Sequence, residues 1–341
     1  MSRGAVGNSL GASAISTDTT TTEMGMRSTN TVITIAAGVL LAACGKQETP
    51  AADTTKPAAA AAPAPATPSK LGETPAMKTP ESARYDADLD VFFVSNINGN
   101  PSQHDGNGFI AIVRADSTGV VKMLVEGGKS GVTLDAPKGL FIVGDTLWVT
   151  DINHLRAFNK RTGAKVADID LSSQKATFLN DIAVGGDGAI YVTDSGILFD
   201  DKGAMSHPGI DQIFKIEGRK ATALKPDSLN APNGITWDAA NGRFLLAPFS
   251  GTAVQTWKPG DKTTQTLVSG PGQYDGIEVL ADGRVLVSSW ADSAVHVVQN
   301  GTMSKFVAGV SAPPDIGVDT KRGVVAIPRF NDGKIEYYKI P

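Results

Sequence analysis

Short apolar segments, separated by turns that contain glycine, fill the chain from Pro80 onward, and one phrase of residues recurs along them. Each copy has a turn residue, a polar or small residue, an apolar strand, a tight turn and a second apolar strand. The copies begin at Pro80, Pro137, Leu179, Pro232, Tyr274 and Pro313. Several intervals between them are close to the roughly 40–45 residues of one propeller blade.

The composition of these segments indicates strands joined by hairpins. Asp187-Gly188, Asn241-Gly242 and Asp282-Gly283 are strong hairpin signals between β-branched segments. Further strands are predicted at residues 212–216, 253–257 and 294–298, and no segment has the sustained i, i+3, i+4 apolar spacing of a helix. We therefore predict an all-β fold, a six-bladed β-propeller with four-stranded antiparallel blades around a central channel.

The chain before the repeats has a different composition. Its basic Arg27, a short apolar stretch and the sequence Leu41-Ala42-Ala43-Cys44 are typical of a lipoprotein signal peptide with a lipobox. The apolar stretch is shorter than the about 20 residues of a membrane span. The predicted regions are an upstream extension (1–25, with Met24 or Met26 as initiator), the signal peptide (26–44), an Ala-, Pro- and Thr-rich flexible tether (45–78) and the propeller (79–341).

Acylation of Cys44 is expected to anchor a secreted protein to a membrane of the bacterial cell envelope, on the periplasmic side or at the outer membrane. Cys44 is the single cysteine, and no serine of the predicted propeller lies in a Gly-x-Ser-x-Gly elbow, so covalent catalysis has little support. With a formal net charge of -4 and 6% aromatic residues, nothing indicates nucleic-acid binding. The oligomeric state stays open.

A ring of polar residues is predicted in the channel, because equivalent positions on the innermost strands surround the propeller axis. The second residue of each phrase is such a position, which gives Glu81, Lys138, Asn180, Asn233, Asp275 and Pro314, with Asp181 and Asp315 one step further along. Carboxylate and amide oxygens suit hard divalent cations such as Ca²⁺ or Mg²⁺. Alternatively, Asn233 and Asp275, which precede glycines, are ordinary turn residues, but Glu81 precedes a serine and does not fit that explanation.

The phrases that begin at Pro80, Leu179, Pro232 and Tyr274 resemble the signature positions of the senescence marker protein 30, gluconolactonase and luciferin-regenerating enzyme family, in the family's order. The resemblance covers residues 80–341 and implies a six-bladed propeller with one divalent cation, usually calcium or zinc. It implies Glu81, Asn233 and Asp275 as the ligands, and Asn180 as a contact to substrate or to a metal-bound water. Asp275 would also be the general base of lactone hydrolysis.

One position departs from the family pattern. Sugar-lactone members have an arginine two residues before the substrate-binding asparagine, whereas this chain has Phe178. A lactone or ester less polar than an aldonolactone is therefore expected as the substrate. Asp181 and Lys138 are further candidates for substrate binding, Lys138 either holding an anionic product or lying solvated at the rim. His104 is a candidate because the insert at residues 98–108 is long enough to reach over the channel.

Two functions follow from the sequence. The first is divalent-metal-dependent hydrolysis of a small lactone or ester, with Ca²⁺ expected and Zn²⁺ or Mg²⁺ as alternatives. The second is a non-catalytic propeller that binds a ligand or partner at the cell envelope, since this fold also serves as a scaffold.

Overall fold

Each recurring phrase folds as a β-hairpin, because apolar strands flank a tight turn, and in five of the six turns a glycine adopts positive φ. Gly188, Gly242 and Gly283 have φ values of 77°, 59° and 85° in the three turns that the sequence marked. The computed structural model describes residues 67–117 and 119–341. Within them the strands form six four-stranded antiparallel sheets, so the predicted all-β propeller is confirmed.

The strands follow the chain in simple order. The first strand and blade one are β1 (Ser69–Thr74), then β2 (Pro80–Asp86), β3 (Val91–Asn96), β4 (Phe109–Arg114) and β5 (Val120–Glu126). Blade two is β6 (Pro137–Val143), β7 (Thr146–Asp151), β8 (His154–Asn159) and β9 (Lys165–Asp170), followed by a short 3₁₀ helix (Ser172–Gln174). Blade three is β10 (Leu179–Val184), β11 (Ile190–Asp194), β14 (Gln212–Glu217) and β15 (Lys220–Leu224), with an inserted hairpin of β12 (Leu198–Phe199) and β13 (Met205–Ser206).

The remaining blades repeat this order. Blade four is β16 (Pro232–Asp238), β17 (Arg243–Pro248), β18 (Ala253–Trp257) and β19 (Gln265–Ser269). Blade five is β20 (Tyr274–Val279), β21 (Val285–Ser289), β22 (Ala294–Gln299) and β23 (Thr302–Ala308). Blade six is β24 (Gly317–Asp319), β25 (Val324–Arg329), β26 (Lys334–Lys339) and, at its outer edge, β1.

Strand β1 corrects one predicted boundary. Residues 45–78 were expected to be a tether, yet Ser69–Thr74 pairs antiparallel with β26 and completes blade six. Because β1 comes from the start of the described chain and β26 from its end, this pairing closes the ring of blades. The propeller therefore begins at Ser69, before the predicted boundary at residue 79.

The blades pack face to face through apolar clusters. Between blades one and two, for example, Phe93, Leu140 and Phe158 are at most 1% exposed and belong to one such cluster. The upstream extension, the signal peptide with Cys44, and most of the tether lie outside the described residues. Within the described part of the chain, no helix is both long and apolar enough to span a bilayer.

Candidate functional site

All six ring positions line one cavity at the propeller axis. Its volume is about 60 Å³, and apolar side chains surround its upper part. The polar ring members that face it are Glu81, Lys138, Asn180, Asn233 and Asp275, with Pro314 in the sixth position. The repeat phrase therefore identified side chains that the fold brings together from six blades.

A β-bulge turns the ring residues toward the axis. In five blades the register between the innermost strand and its neighbour shifts at the ring position, as between Pro80 and Ala83 or between Tyr274 and Ile277. A bulge places two residues opposite one and re-aims a side chain. Glycine beside the ring residue then lets adjacent inner strands approach, since a Cβ at Gly234 would overlap the backbone carbonyl of Asp275.

Hydroxyl groups on the second strands hold these bulges. The Thr193 hydroxyl accepts a hydrogen bond from the Asp181 amide at 2.9 Å and donates one to the Asn233 carbonyl of the next blade at 2.5 Å. Ser288 makes the same pair of contacts, with the Gly276 amide and the Pro314 carbonyl. These residues were not predicted from the sequence. A serine or threonine near the end of the second strand recurs in most phrases, and this pattern could have identified them.

Three oxygens in the cavity wall have no hydrogen-bond partner. Oε2 of Glu81, Oδ1 of Asn233 and Oδ1 of Asp275 are buried and unpaired within the described residues. The three side chains are only 4%, 5% and 3% exposed. A buried polar atom without a partner is costly, and a positively charged group in this cavity would satisfy all three.

Oxygen donors of this type fit a divalent cation. Within residues 67–117 and 119–341, no three His, Cys, Asp or Glu side chains are arranged to hold one metal ion. The candidate set of cation ligands therefore consists of the carboxylates of Glu81 and Asp275 and the amide oxygen of Asn233. The residues present fit the cation that the sequence predicted.

The electrostatics of the cavity favour an added positive charge. Burial raises the pKa of the Glu81 carboxyl well above its usual value, and the charges of Asp275 and Asp315 raise it further. Burial likewise raises the pKa of Asp275, again helped by Asp315. Carboxylates that repel one another in a buried site are stabilised as anions by a bound cation.

Lys138 and Asn180 stand beside these carboxyls. The ammonium of Lys138 donates to the carbonyls of Pro101 at 3.1 Å and Ala136 at 3.2 Å, and lies 4.1 Å from the ring centroid of Phe178. Burial lowers the pKa of Lys138 to about 8, an effect that the charge of Glu81 opposes. Lys138 is 1% exposed, so the alternative of a solvated lysine at the rim is wrong.

Two predicted substrate contacts do not face the cavity. Asp181 accepts hydrogen bonds from the amides of Ile182 and Ile235, at 2.7 and 2.9 Å, and thereby fastens blade three to blade four. The side chain of His104 is 55% exposed and pairs with Asp135 at 3.1 Å. The insert that carries His104 does reach the cavity, but through Pro101.

The far side of the channel is crossed by an ion pair. Arg84, three residues beyond Glu81 on β2, donates to Glu278 of blade five at 2.7 Å and to the carbonyl of Leu140 in blade two at 2.9 Å. Blades one and five are not neighbours, so this pair lies across the axis. The cavity is therefore approached from the side of the apolar mouth.

The fold and the site together define the class of protein, a six-bladed β-propeller with buried carboxylate and amide oxygens at its axis. Residues 80–313 match the family described as SMP-30/Gluconolactonase/LRE-like region. The chain belongs to this family, as the phrases in the sequence indicated. No curated protein matches the chain.

Solved structures share the fold at low identity. A gluconolactonase from Xanthomonas campestris has a TM-score of 0.58 and 15% identity, covering 78% of this chain and 88% of its own. A streptogramin B lyase has a TM-score of 0.55 and 14% identity, covering 79% and 97%. A catalytically inactive virginiamycin B lyase from Staphylococcus aureus has the same score and identity, covering 81% and 99%. These similarities show the fold alone.

Proposed function

We propose that this protein hydrolyses a lactone or ester in the central cavity with the help of one divalent cation. The observation that carries the proposal is the convergence of three unpaired buried oxygens, from Glu81, Asn233 and Asp275, on one cavity. Ca²⁺ is the proposed ion because all donors are oxygen, with Zn²⁺ or Mg²⁺ as alternatives. Such a cation, when bound, polarises the carbonyl of the substrate.

The side chains of the ring supply the remaining chemistry. Asp275 takes a proton from the attacking water, the water oxygen bonds to the carbonyl carbon, and the ester C–O bond breaks. The leaving oxygen regains a proton, and the product is a hydroxy acid, or an acid and an alcohol. Asn180 orients the substrate, and Lys138, which lies in the same wall, stabilises the carboxylate product.

The structural neighbours offer a second kind of enzyme, a lyase. The virginiamycin B lyase was inactivated by replacing a histidine with alanine. In the described part of this chain, no histidine lines the cavity. Hydrolysis with a carboxylate base is therefore favoured over that chemistry.

A non-catalytic binding propeller is the second candidate function. The apolar mouth above the polar floor supports it, because binding sites for small molecules commonly combine apolar walls with a few polar groups. Both candidate functions include the bound cation, but only the hydrolase turns over a substrate.

Metal content and hydrolysis of a panel of lactones and esters test the proposal. Wild-type protein is expected to bind about one cation per chain, and Asp275→Ala to lose the cation and at least about 100-fold in turnover. Asp116→Ala removes an exposed carboxylate on blade one and is expected to change neither. Wild-type protein that binds metal but turns over no substrate would favour the binding propeller, and protein that binds no metal would refute the site.

The location of the protein is proposed from the sequence alone. Acylation of Cys44 would hold the propeller at the bacterial cell envelope through a lipid anchor. Incorporation of labelled palmitate into wild type but not into Cys44→Ser tests this anchor.

A further inference from the structure

We propose that the substrate carries an apolar alkyl or aryl group, which an aromatic collar above the cation site binds and selects. The collar consists of Phe178, Phe199, Met205, Phe249, Trp290 and Phe330. This inference rests on the proposed hydrolase function and names the substrate class for the same site.

Part of the collar is a second ring built by the repeat. Phe249, Trp290 and Phe330 directly follow the second strands of blades four, five and six, one residue after Pro248, Ser289 and Arg329. They pack in series, with ring centroids 5.7 Å apart between Phe249 and Trp290 and 5.3 Å apart between Trp290 and Phe330. Three consecutive blades therefore place aromatic side chains above the polar ring.

Two inserts complete the collar on the opposite side. Phe199 of the β12–β13 hairpin packs on Phe178 at 5.8 Å, and its amide donates to the Ser102 hydroxyl in the insert of blade one. Asn100 donates to the carbonyl of Asp200 at 2.7 Å. These contacts join the inserts of blades one and three into a single wall.

The collar offers few partners to a polar substrate. Two of the three N–H groups of Lys138 donate to the carbonyls of Pro101 and Ala136, which leaves one for a substrate or product oxygen at the polar floor. A sugar hydroxyl placed against the aromatic rings would lose its bonds to water without replacement. An alkyl chain loses nothing there and removes apolar surface from water.

Met205 identifies where the substrate extends. It lines the cavity yet is 48% exposed, so it presents an apolar surface that the protein itself leaves uncovered. The cavity volume of about 60 Å³ accommodates only a compact group at the polar floor. The chain of a larger substrate would therefore lie along Met205 and the rest of the collar.

A matched pair of δ-lactones tests the inference on the full protein. δ-Decalactone and glucono-δ-lactone share the six-membered ester ring, but the first carries an alkyl chain and the second carries hydroxyl groups. We expect wild-type kcat/KM to favour δ-decalactone by about 10-fold or more. A preference for glucono-δ-lactone would overturn the inference while leaving the hydrolase function in place.

Two methionine variants locate the preference in the collar. Met205→Gln is expected to raise KM for δ-decalactone about 3- to 10-fold with kcat nearly unchanged, and to leave glucono-δ-lactone unaffected. Met123→Gln is the control, because Met123 is 44% exposed on β5 and does not line the cavity. Equal effects of Met205→Gln on both lactones, or no effect on either, would contradict the proposal that the collar selects the substrate.

The two proposals can fail separately. If neither lactone is hydrolysed by metal-loaded protein, the hydrolase proposal is wrong for this substrate class, and the collar is then tested by binding. Binding of δ-decalactone measured by isothermal titration calorimetry, weakened in Met205→Gln, would support the proposed role of the collar. Absence of binding would overturn it.

Discussion

Trp290 brings an indole N–H to the cavity beside the carboxyl of Asp275. Its Nε1 is buried and has no hydrogen-bond partner among the described residues. Burial raises the pKa of Asp275, and the indole is close enough to oppose that rise. The N–H is therefore placed to hold the proposed base or to donate to a substrate oxygen.

Replacing Trp290 with phenylalanine keeps an aromatic ring between Phe249 and Phe330 and removes the N–H. In the substrate-bound protein we expect this N–H to donate to the Asp275 carboxylate or to a substrate oxygen. A hydrogen bond to a charged group contributes about 1.5–3 kcal/mol, so we expect turnover to fall by about 10-fold or more with metal content unchanged. Trp237→Phe is the control, because Trp237 packs on Phe244 away from the cavity. Full activity of Trp290→Phe would mean that the indole only packs.

The sequence was informative about which residues form the ring and less so about their orientation. The phrase placed Glu81, Asn233 and Asp275 at equivalent positions, and the structure brings them to one cavity. It could not show that Asp181, one residue beyond Asn180, turns into the blade interface. At a bulge, two residues of one strand lie opposite one residue of its partner. The regular alternation of side chains between the two faces of the sheet is then broken, so position in the sequence no longer tells which face a side chain occupies.

At the scale of strands, the site depends on the way each bulge is satisfied. An extra residue in a strand leaves a backbone amide without its ladder partner. Thr193 on β11 accepts from that amide in blade three, and its hydrogen bond to the Asn233 carbonyl ties the ligand-bearing strand of blade four. One hydroxyl therefore holds the geometry of both strands, and we expect it to influence the affinity for the proposed cation.

Thr193→Val tests this link, since valine has nearly the same shape but no hydroxyl. We expect the free energy of unfolding to fall by about 2 kcal/mol, because two buried backbone groups lose their partner, and cation affinity to weaken as Asn233 shifts. Urea unfolding and metal titration measure the two effects. Thr222→Val, at an exposed position on β15, is expected to change stability by less than about 0.5 kcal/mol. If Thr193→Val bound the cation as wild type does, the hydroxyl would be structural only.

Hairpins were predictable from the sequence because their turns have a distinct composition, as Asp187-Gly188 and Asn241-Gly242 show. The bulges were not, because the residues that form them, such as Glu81-Ser82, carry no turn signature. The β12–β13 hairpin was also missed, since its strands are two residues long and mostly exposed. It contacts the insert of blade one, which is distant in the sequence, through Phe199 and Asp200.

At the scale of the whole molecule, closure of the ring depends on β1. The sequence Ser69-Lys70-Leu71-Gly72-Glu73-Thr74 is polar and mostly exposed, so it reads as tether. It forms a strand because it pairs with β26, through contacts such as Thr74 with Tyr337 at 2.9 Å. Pairing between the two ends of a domain leaves no local pattern for sequence reasoning to detect.

The ion pairs of this closing strand predict how stability depends on pH. Burial alone would raise the pKa of Glu336 on β26, but hydrogen bonds from Lys70, Lys334 and Tyr338 outweigh it and lower the pKa to about 2. The pKa of a glutamate in the unfolded chain is about 4.3. The Glu336 carboxylate therefore stabilises the fold above that pH, and this stabilisation is lost as the pH falls toward about 2.

We expect Glu336→Gln to reduce the loss of stability at acidic pH. The fall in urea midpoint between pH 6 and pH 3 should be smaller in the variant than in wild type, because a glutamine has no proton to take up. Glu217→Gln removes a carboxylate that is 58% exposed on blade three and should keep the wild-type difference. Identical pH dependence in wild type and Glu336→Gln would show that the Lys70–Glu336 pair, at 2.8 Å, does not stabilise the closure of the propeller. A smaller dependence would show that the Glu336 carboxylate, which pairs with Lys70 of β1 and with Lys334 and Arg329 of blade six, stabilises the folded propeller.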